Sequence, residues 1–484
     1  MPSKSASGLS IIGFRLMNDC LCNNRMRPEE VLCSRRQFLA RCGMGLGALG
    51  LASLLSEEAI AAAATGTASG VKPTHFPAKA QHVIHIFAQG APSHIDTWDP
   101  KPVLTKYEDQ SLPDLNGVAM PSPFTFTKRG KSGIDVSEVF DALGNHVDDM
   151  AIIRSMHTDI PAHDVATVFM NTGSLRLAKP SVGAWVLYGL GSENENMPGY
   201  ISLRPGGSPP GGALNWGSGF LPGNFQATSI NTKADSVEGM IQNIRNQYFT
   251  EQEQRRQLDL VQKLNAIHAR HLQKDPQLEA RIEACEMAYR MQMEATDAFD
   301  IAKEPQHIRD LYGNTPQGRQ LLIARRLVER GVRFVQVWAG GWDHHQDIED
   351  RLKQSASEID KPAAALLTDL KQSGLLDRTL VLWGGEFGRT VTRDRNGNDN
   401  PGRDHNNRAF SVWLAGGGVK SGTIYGATDE FGARAVENKV HVHDLHATIL
   451  HLLGFNHEKL TYRYNGRDFR LTDNYGTVVK GIIA

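Results

Sequence analysis

The sequence predicts an α/β fold in which a mostly parallel sheet carries helices on both faces. The apolar run from His82 to Ala88 (HVIHIFA) is typical of a buried strand. Two helix–strand units follow: a helix over residues 316–330 precedes a strand over 332–338, and a helix over 359–373 precedes a strand over 379–383. Alternating helices and apolar strands are characteristic of parallel sheets, so we expect one large domain of this type.

Shorter elements complete the predicted body. Residues 136–145 indicate a helix, residues 150–153 a short strand, residues 410–414 another strand, and residues 441–453 a final helix. The Gly- and Pro-rich segment 204–224 is too long for a simple connection, which is typical of a functional or lid-like loop.

Residues 1–63 predict a twin-arginine secretion signal. The pair Arg35-Arg36 precedes an apolar, glycine-rich stretch from Gly43 to Leu55, and small residues near 61–64 offer cleavage sites. The apolar stretch is shorter than the ~20 residues that span a bilayer, so we expect no permanent membrane anchor. We therefore expect export through the twin-arginine translocase to the periplasm, the cell surface or the medium.

The remaining chain divides into a linker and one domain. Residues 64–81 are small, polar and Pro-containing, as expected of a linker, and residues 82–484 form the predicted α/β domain. Within it, apolar residues such as Leu258 and Leu264 recur at helical spacing between charges. This pattern predicts a helical hairpin inserted over residues 240–305.

Composition excludes several classes of protein. The chain has 484 residues, of which 40% are hydrophobic, enough to bury a large core. A formal net charge of −1 gives no basic surface of the kind that binds nucleic acid. Of the five cysteines, only Cys285 lies outside the predicted signal, which excludes an intrachain disulfide and a thiolate metal site in the exported chain.

Carboxylates and imidazoles follow successive predicted strands. Because ligands bind at the carboxyl ends of parallel strands, we expect these side chains to form one cluster. Mixed Asp, Glu and His ligands suit one or two divalent ions such as Zn²⁺, Mn²⁺, Mg²⁺ or Ca²⁺. The predicted metal ligands are Asp96, Asp343, His345, Glu386, Asp404 and His405.

Several motifs carry a family resemblance. They are Trp342-Asp343-His344-His345, Glu386-Phe387-Gly388-Arg389, Gly402-Arg403-Asp404-His405-Asn406 and Ala415-Gly416-Gly417-Gly418. Together they resemble the uncharacterised bacterial family called domain of unknown function 1501, over about residues 82–475. That family is similar in fold to the alkaline phosphatase and sulfatase superfamily. The resemblance implies an alkaline phosphatase-like sheet with a one-metal or two-metal centre.

The resemblance also implies roles for individual residues. Asp343 and His345 correspond to the upstream aspartate and histidine ligands, with His344 as an alternative to His345. Glu386 keeps a carboxylate where the superfamily has Asp-His-Gly, although Phe387 replaces the histidine. The late ligand histidine corresponds to His405, and Asp96 corresponds to the first-strand aspartate.

His163 occupies the position of the superfamily nucleophile, counted back from Gly173. Because it is not Ser, Thr or Cys, a sulfatase of the formylglycine type is excluded. His163 could attack phosphorus, bind the metal or mark a centre that no longer catalyses. Arg389 and Arg403 could hold an anionic ester by bidentate hydrogen bonds, or could each fix a loop.

The leading functional hypothesis is an exported metal-dependent hydrolase of phosphate or sulfate esters. Its substrate would be a small anionic ester or a sulfated or phosphorylated glycan. The main alternative is a non-catalytic exported protein that binds an anionic glycan or a partner protein in the same cleft. A third hypothesis is a carbohydrate-active hydrolase that uses Glu386 and aspartates without metal.

Overall fold

The computed structural model describes residues 73–175, 178–241, 248–271, 286–287, 289–291, 296–394 and 400–484. The predicted signal, the first part of the predicted linker and Cys285 lie outside the described residues. Within the described part of the chain, none of the helices combines the length and apolar character that crossing a bilayer requires.

The structure alternates strands and helices along the chain. The described strands are β1 (His82–Ala88), β2 (Phe126–Arg129), β3 (Ile134–Ser137), β4 (Met150–His157), β5 (Tyr200–Arg204), β6 (Thr228–Asn231), β7 (Phe334–Ala339), β8 (Thr379–Gly384), β9 (Gly388–Arg393), β10 (Arg403–Asn406), β11 (Phe410–Ala415), β12 (Thr423–Tyr425), β13 (Ala427–Thr428), β14 (Ala435–Glu437), β15 (Val440–His441), β16 (Tyr462–Tyr464) and β17 (Arg467–Phe469). The α-helices with described bounds are α1 (His163–Thr172), α2 (Val182–Leu190), α3 (Val237–Met240), α4 (Glu251–His271), α5 (Gln306–Tyr312), α6 (Pro316–Glu329), α7 (Ile348–Gln372) and α8 (Val442–Leu452).

The described residues form a central sheet of nine strands in the order β12-β4-β11-β8-β1-β7-β5-β6, with β15 paired to β4. The pairings are parallel except those that β11 makes with β4 and β8. Because β11 is antiparallel to both neighbours, β4 runs in the same direction as β1 and β8. The predicted mostly parallel α/β sheet is confirmed.

Helices cover both faces of this sheet. Ile84 and Ile86 of β1 belong to a core that also contains apolar side chains of α6 and α7. Val83 and Phe87, which alternate with them, belong to a second core with side chains of α1, α2 and α8. Burial on both faces explains why β1 is a continuous apolar run rather than an alternating one.

Two predicted elements differ from the structure. The helix predicted over 136–145 is wrong: β3 ends at Ser137, and short 3₁₀ turns replace the helix. The carboxylate of Asp360 accepts hydrogen bonds from the backbone N–H groups of Ala142 (2.9 Å) and Leu143 (2.8 Å), which holds this segment in turns. The helix predicted from residue 359 begins earlier, at Ile348, and continues through Pro362.

The region predicted as a helical insertion contains α4, the longest described helix between residues 240 and 305. The return half of the predicted hairpin is described only in short helical pieces within 286–299. The insertion as a whole therefore stays a prediction.

The second histidine of β1, His85, lies in the core. His85 is 5% exposed and lies edge-on to Phe87 and Phe334, at ring-centre distances of 5.5 and 6.3 Å. Burial lowers the pKa of His85 to about 3, because a charged imidazole loses its hydration there. The folded protein thus holds a neutral His85 at pH values where the unfolded chain binds a proton.

This difference predicts a stability that falls as the pH falls from 6.5 toward 3. Each such imidazole contributes about 1.4 kcal/mol per pH unit within that window, because the unfolded state alone gains the proton. Between pH 6.5 and pH 5, we expect the free energy of unfolding to fall by about 2 kcal/mol less in the His85→Gln variant than in the unsubstituted protein. Urea unfolding at the two pH values measures this difference. An unchanged pH dependence in the variant would contradict the assignment.

Candidate metal centre

Several loops bring ionisable side chains to one edge of the sheet. β1, β7 and β8 are parallel, so their carboxyl ends lie together. Asp343 and His345 lie in the loop after β7, and Glu386 closely follows β8. β4 ends at the same edge, and the chain then enters α1 at His163. The β9–β10 hairpin adds His405.

Four of these residues converge on one point. His163, Asp343, His345 and His405 each offer a ligand atom, and these atoms all lie within 4.8 Å of one another. Oδ1 of Asp343 is 3.3 Å from Nε2 of His163, 3.1 Å from Nε2 of His345 and 3.7 Å from Nε2 of His405. Three imidazole nitrogens and one carboxylate oxygen are a ligand set that suits Zn²⁺ and related ions.

Two glycines allow the loops to approach this closely. A Cβ at Gly90 would lie 2.5 Å from the backbone nitrogen of Asp343, and Gly90 has a φ of +112°. A Cβ at Gly402 would lie 2.2 Å from the backbone carbonyl carbon of His345. Any larger residue would push the loop after β1, or the strand that carries His405, away from the loop after β7.

Each of the three imidazoles is held through its Nδ1 atom. Nδ1 of His163 is 2.6 Å from Oε1 of Glu386, and Nδ1 of His405 is 2.8 Å from the carbonyl oxygen of Pro161. Nδ1 of His345 forms a short hydrogen bond with Oδ2 of Asp394. With Nδ1 donating, each neutral ring can present the lone pair of its Nε2 atom to an ion.

Nε2 of His163 lies where the ligand atoms converge. It is buried and lies 3.3 Å from Oδ1 of Asp343, with which it forms an ion pair when the imidazole is protonated. Its position among three other ligand atoms fits a divalent ion.

The charges of the centre are strongly coupled. Burial opposes the charge of Asp343, but His163, His405 and Arg389 hold the pKa of this carboxyl well below its usual range. Burial also opposes a charge on His163, but the carboxylates of Asp343 and Glu386 outweigh it and raise its pKa to about 9. At neutral pH the ring of His163 in the free centre therefore carries protons on both nitrogens. A bound ion would replace the Nε2 proton and supply the positive charge instead.

Arg389 contacts Asp343 and is fully buried. Its guanidinium donates to the carboxylate of Asp343 and to the backbone carbonyls of Gly90, Ala91 and Arg403. Through these contacts the guanidinium joins the loop after β1, the loop after β7 and β10. It does not face solvent.

Asp96 and Arg403 form a separate buried ion pair. Nε of Arg403 is 2.6 Å from Oδ2 of Asp96, and the second guanidinium nitrogen is 3.1 Å from Oδ1. Both side chains are 0% exposed. Burial opposes the charge of Asp96, but Arg403 and Ser93 keep the pKa of its carboxyl below its usual value. The pair ties the loop after β1 to β10, and neither residue belongs to the convergent group.

The structure also places the other residues considered from the sequence. Glu386 is fully buried and contacts His163 and the N–H of Gly90 (3.1 Å), so it lies behind the convergent group. His344 is buried, with Nε2 3.2 Å from the hydroxyl of Ser355, and is not part of the group. Asp404 is exposed and belongs to a second group of three with His345 and Asp394.

Sequence reasoning missed Asp394 and Pro161. Asp394 follows β9 in a polar segment, Thr392-Arg393-Asp394, that shows no recognisable motif. Pro161 contributes a backbone carbonyl, which any residue could supply. The sequence contains no signal for either contact, because both depend on how the loops pack.

The buried pair predicts a structural rather than a ligand role for Asp96. We expect Asp96→Leu to lower the free energy of unfolding by about 3–5 kcal/mol, because it leaves a buried guanidinium unpaired. The double variant Asp96→Leu/Arg403→Met should recover part of that loss, and both should keep the metal content of the folded protein. Urea unfolding and elemental analysis measure these effects. A stable Asp96→Leu protein without metal would show instead that Asp96 is a ligand.

Comparisons with solved structures find matches at low similarity. The lipoteichoic acid synthase LtaP from Listeria monocytogenes is 10% identical, with 84% of this chain and 79% of that chain covered and a TM-score of 0.33. A sulfatase from Pseudoalteromonas sp. is 11% identical, with 85% and 72% covered and a TM-score of 0.32. The alkaline phosphatase from the Antarctic bacterium TAB5 is 10% identical, with 72% and 95% covered and a TM-score of 0.27.

No curated protein matches the chain. Residues 80–483 match the model of the family described as protein of unknown function (DUF1501). This match covers most of the chain and includes every residue of the convergent group, and the chain belongs to that family.

Proposed function

We propose that this protein is an exported metal-dependent hydrolase of phosphate or sulfate esters, with one divalent ion held by His163, Asp343, His345 and His405. The observation that carries the proposal is the convergence of three imidazole nitrogens and the carboxylate of Asp343, with all four ligand atoms within 4.8 Å of one another. Export follows from the predicted twin-arginine signal. Three imidazoles favour Zn²⁺ over Mg²⁺ or Ca²⁺, which prefer oxygen ligands.

The ion would supply Lewis-acid polarisation of an ester oxygen and a lowered pKa for a water molecule. The protein side chains orient the reaction around it. The side chain of Asp343 is 48% exposed, so the centre is open to solvent. The guanidinium of Arg389 neutralises the carboxylate of Asp343. The contacts at Nδ1 orient the three imidazoles so that their Nε2 atoms face the carboxylate of Asp343.

Neither arginine is free to bind the ester. The guanidinium groups of Arg389 and Arg403 are buried and already donate to carboxylates and backbone carbonyls. Charge neutralisation of the substrate would therefore depend on the ion. His163 would act as a ligand rather than as a nucleophile. Water would attack the phosphorus or sulfur, the bond to the ester oxygen would break, and the alcohol would leave with a proton from that water.

A second candidate is a non-catalytic exported protein that uses the metal to bind an anionic glycan or a partner. It is favoured by the position counted back from Gly173, where His163 stands in place of a Ser, Thr or Cys nucleophile. Catalysis without such a residue requires an activated water, whereas binding does not. Turnover separates the two candidates.

The hydrolase proposal predicts chelator-sensitive turnover. We expect the Zn²⁺-loaded protein to hydrolyse at least one of three probes: an aryl phosphate, an aryl phosphodiester or an aryl sulfate. Removal of the ion by a chelator should abolish the activity and added Zn²⁺ should restore it, because the ion supplies the Lewis acid. Asp343→Ala/His405→Ala should lower the rate by more than about 100-fold, beyond the usual cost of losing an outer contact.

His344→Gln provides the matched control, because His344 adjoins the ligands but contacts Ser355 instead. This variant should keep its metal and most of its activity. A protein that binds Zn²⁺ but hydrolyses none of the three probes would favour the binding protein.

A further inference from the structure

We propose that Asp394 is a positioning residue that fixes the orientation and tautomer of His345 and thereby strengthens metal binding. The inference rests on the proposed metal centre and deepens it. It concerns a residue that has no sequence motif and is not among the four ligands.

Asp394 is held rigidly, whereas His345 is not. The carboxylate of Asp394 is 1% exposed, and the side chain of His345 is 36% exposed. The backbone N–H of Asp394 donates to the carbonyl of Gly402 at 3.0 Å, which fixes Asp394 against the strand that carries His405. A buried, anchored carboxylate can therefore restrain a half-exposed ring.

The contact decides which nitrogen of His345 is available. An ionised carboxylate only accepts hydrogen bonds, so Nδ1 of His345 must carry the proton. Nε2 is then unprotonated in the neutral ring and lies 3.1 Å from Oδ1 of Asp343 and 2.9 Å from Nε2 of His405. Without Asp394 the ring could rotate or adopt the other tautomer, and Nε2 would be a ligand for only part of the time.

Among the three Nδ1 partners, Asp394 is a side chain whose substitution leaves the contact between Glu386 and Gly90 in place. Glu386 holds the N–H of Gly90 as well as His163, so its loss would disturb the loop after β1. The partner of His405 is the backbone carbonyl of Pro161, which a side-chain substitution does not remove. The contact between Asp394 and His345 links two side chains directly.

The test measures Zn²⁺ affinity of the full chain by competition with a chromogenic chelator. Carboxylate partners of ligand histidines typically change metal affinity about 10–100-fold. We expect a loss of this size for Asp394→Ala and a smaller loss for Asp394→Asn, because the amide oxygen can still accept the Nδ1 proton. The melting temperature of the metal-free Asp394→Asn variant should change little. If Asp394→Ala does not fold, Asp394→Asn alone tests the proposal.

Asp347→Asn is the matched control. Asp347 lies two residues after His345 and has a φ of +52°, a conformation that Asn adopts readily, and its carboxylate lies 3.6 Å from Arg351. The Asp347→Asn variant removes the same charge without changing a contact of the imidazole of His345. Its Zn²⁺ affinity should therefore equal that of the unsubstituted protein. The visible spectrum of the Co²⁺-loaded protein should change in Asp394→Asn and stay the same in Asp347→Asn, because it reports ligand geometry.

The outcomes separate the two proposals. If the unsubstituted protein binds Zn²⁺ and Asp394→Ala or Asp394→Asn binds it equally tightly, the positioning role of Asp394 is overturned and the metal centre stands. An equal loss in Asp347→Asn would overturn it as well, because charge alone would explain the effect. If the unsubstituted protein and Asp343→Ala/His405→Ala both fail to bind Zn²⁺, the metal centre itself is wrong.

Discussion

The contact between Arg389 and Asp343 organises the edge of the sheet where the candidate centre lies. A fully buried guanidinium is stable only when carboxylates and carbonyls satisfy its donors. Arg389 meets this need with Asp343 after β7 and with carbonyls from the loop after β1 and from β10. The same contact keeps Asp343 ionised and holds it where the three histidines meet. Architecture and chemistry thus depend on one ion pair.

Buried charges join the loops around this contact. The pair of Asp96 and Arg403 connects the loop after β1 to β10. Arg389 connects the same two segments through the carbonyls of Ala91 and Arg403. Glu386 adds a third link, from the end of β8 to α1 and the loop after β1. Buried ion pairs contribute little net stability but penalise other arrangements, since a misplaced loop leaves a charge unpaired. The centre can therefore be rigid although its ligands come from loops.

The sequence predicted the elements whose signals are local. β1, β8 and β11 are apolar runs, and their bounds agree with the prediction within a residue. The rule that polar residues gather at strand ends also brought Asp343, His345 and His405 into one predicted cluster. The helix predicted over 136–145 was wrong because its competitor, Asp360, is distant in sequence and acts only after α7 has packed.

The different roles of the site residues could not be predicted from the sequence, because they too depend on how distant segments pack. Glu386 and Asp96 have the chemistry of ligands, but the packing of their loops gives them His163 and Arg403 as neighbours. His163 was considered as a nucleophile, a ligand or a relic, and its position beside Asp343 favours the second of these. Asp394 contacts His345 only because the end of β9 packs against the loop after β7.

The central claim is that three imidazoles and one carboxylate hold one ion. X-ray absorption at the zinc edge of the metal-loaded protein tests it most directly, because it counts the histidines around the metal. The account predicts about three imidazole ligands with Zn–N distances of about 2.0–2.1 Å. A shell of oxygen ligands alone, or a protein that retains no zinc, would contradict it.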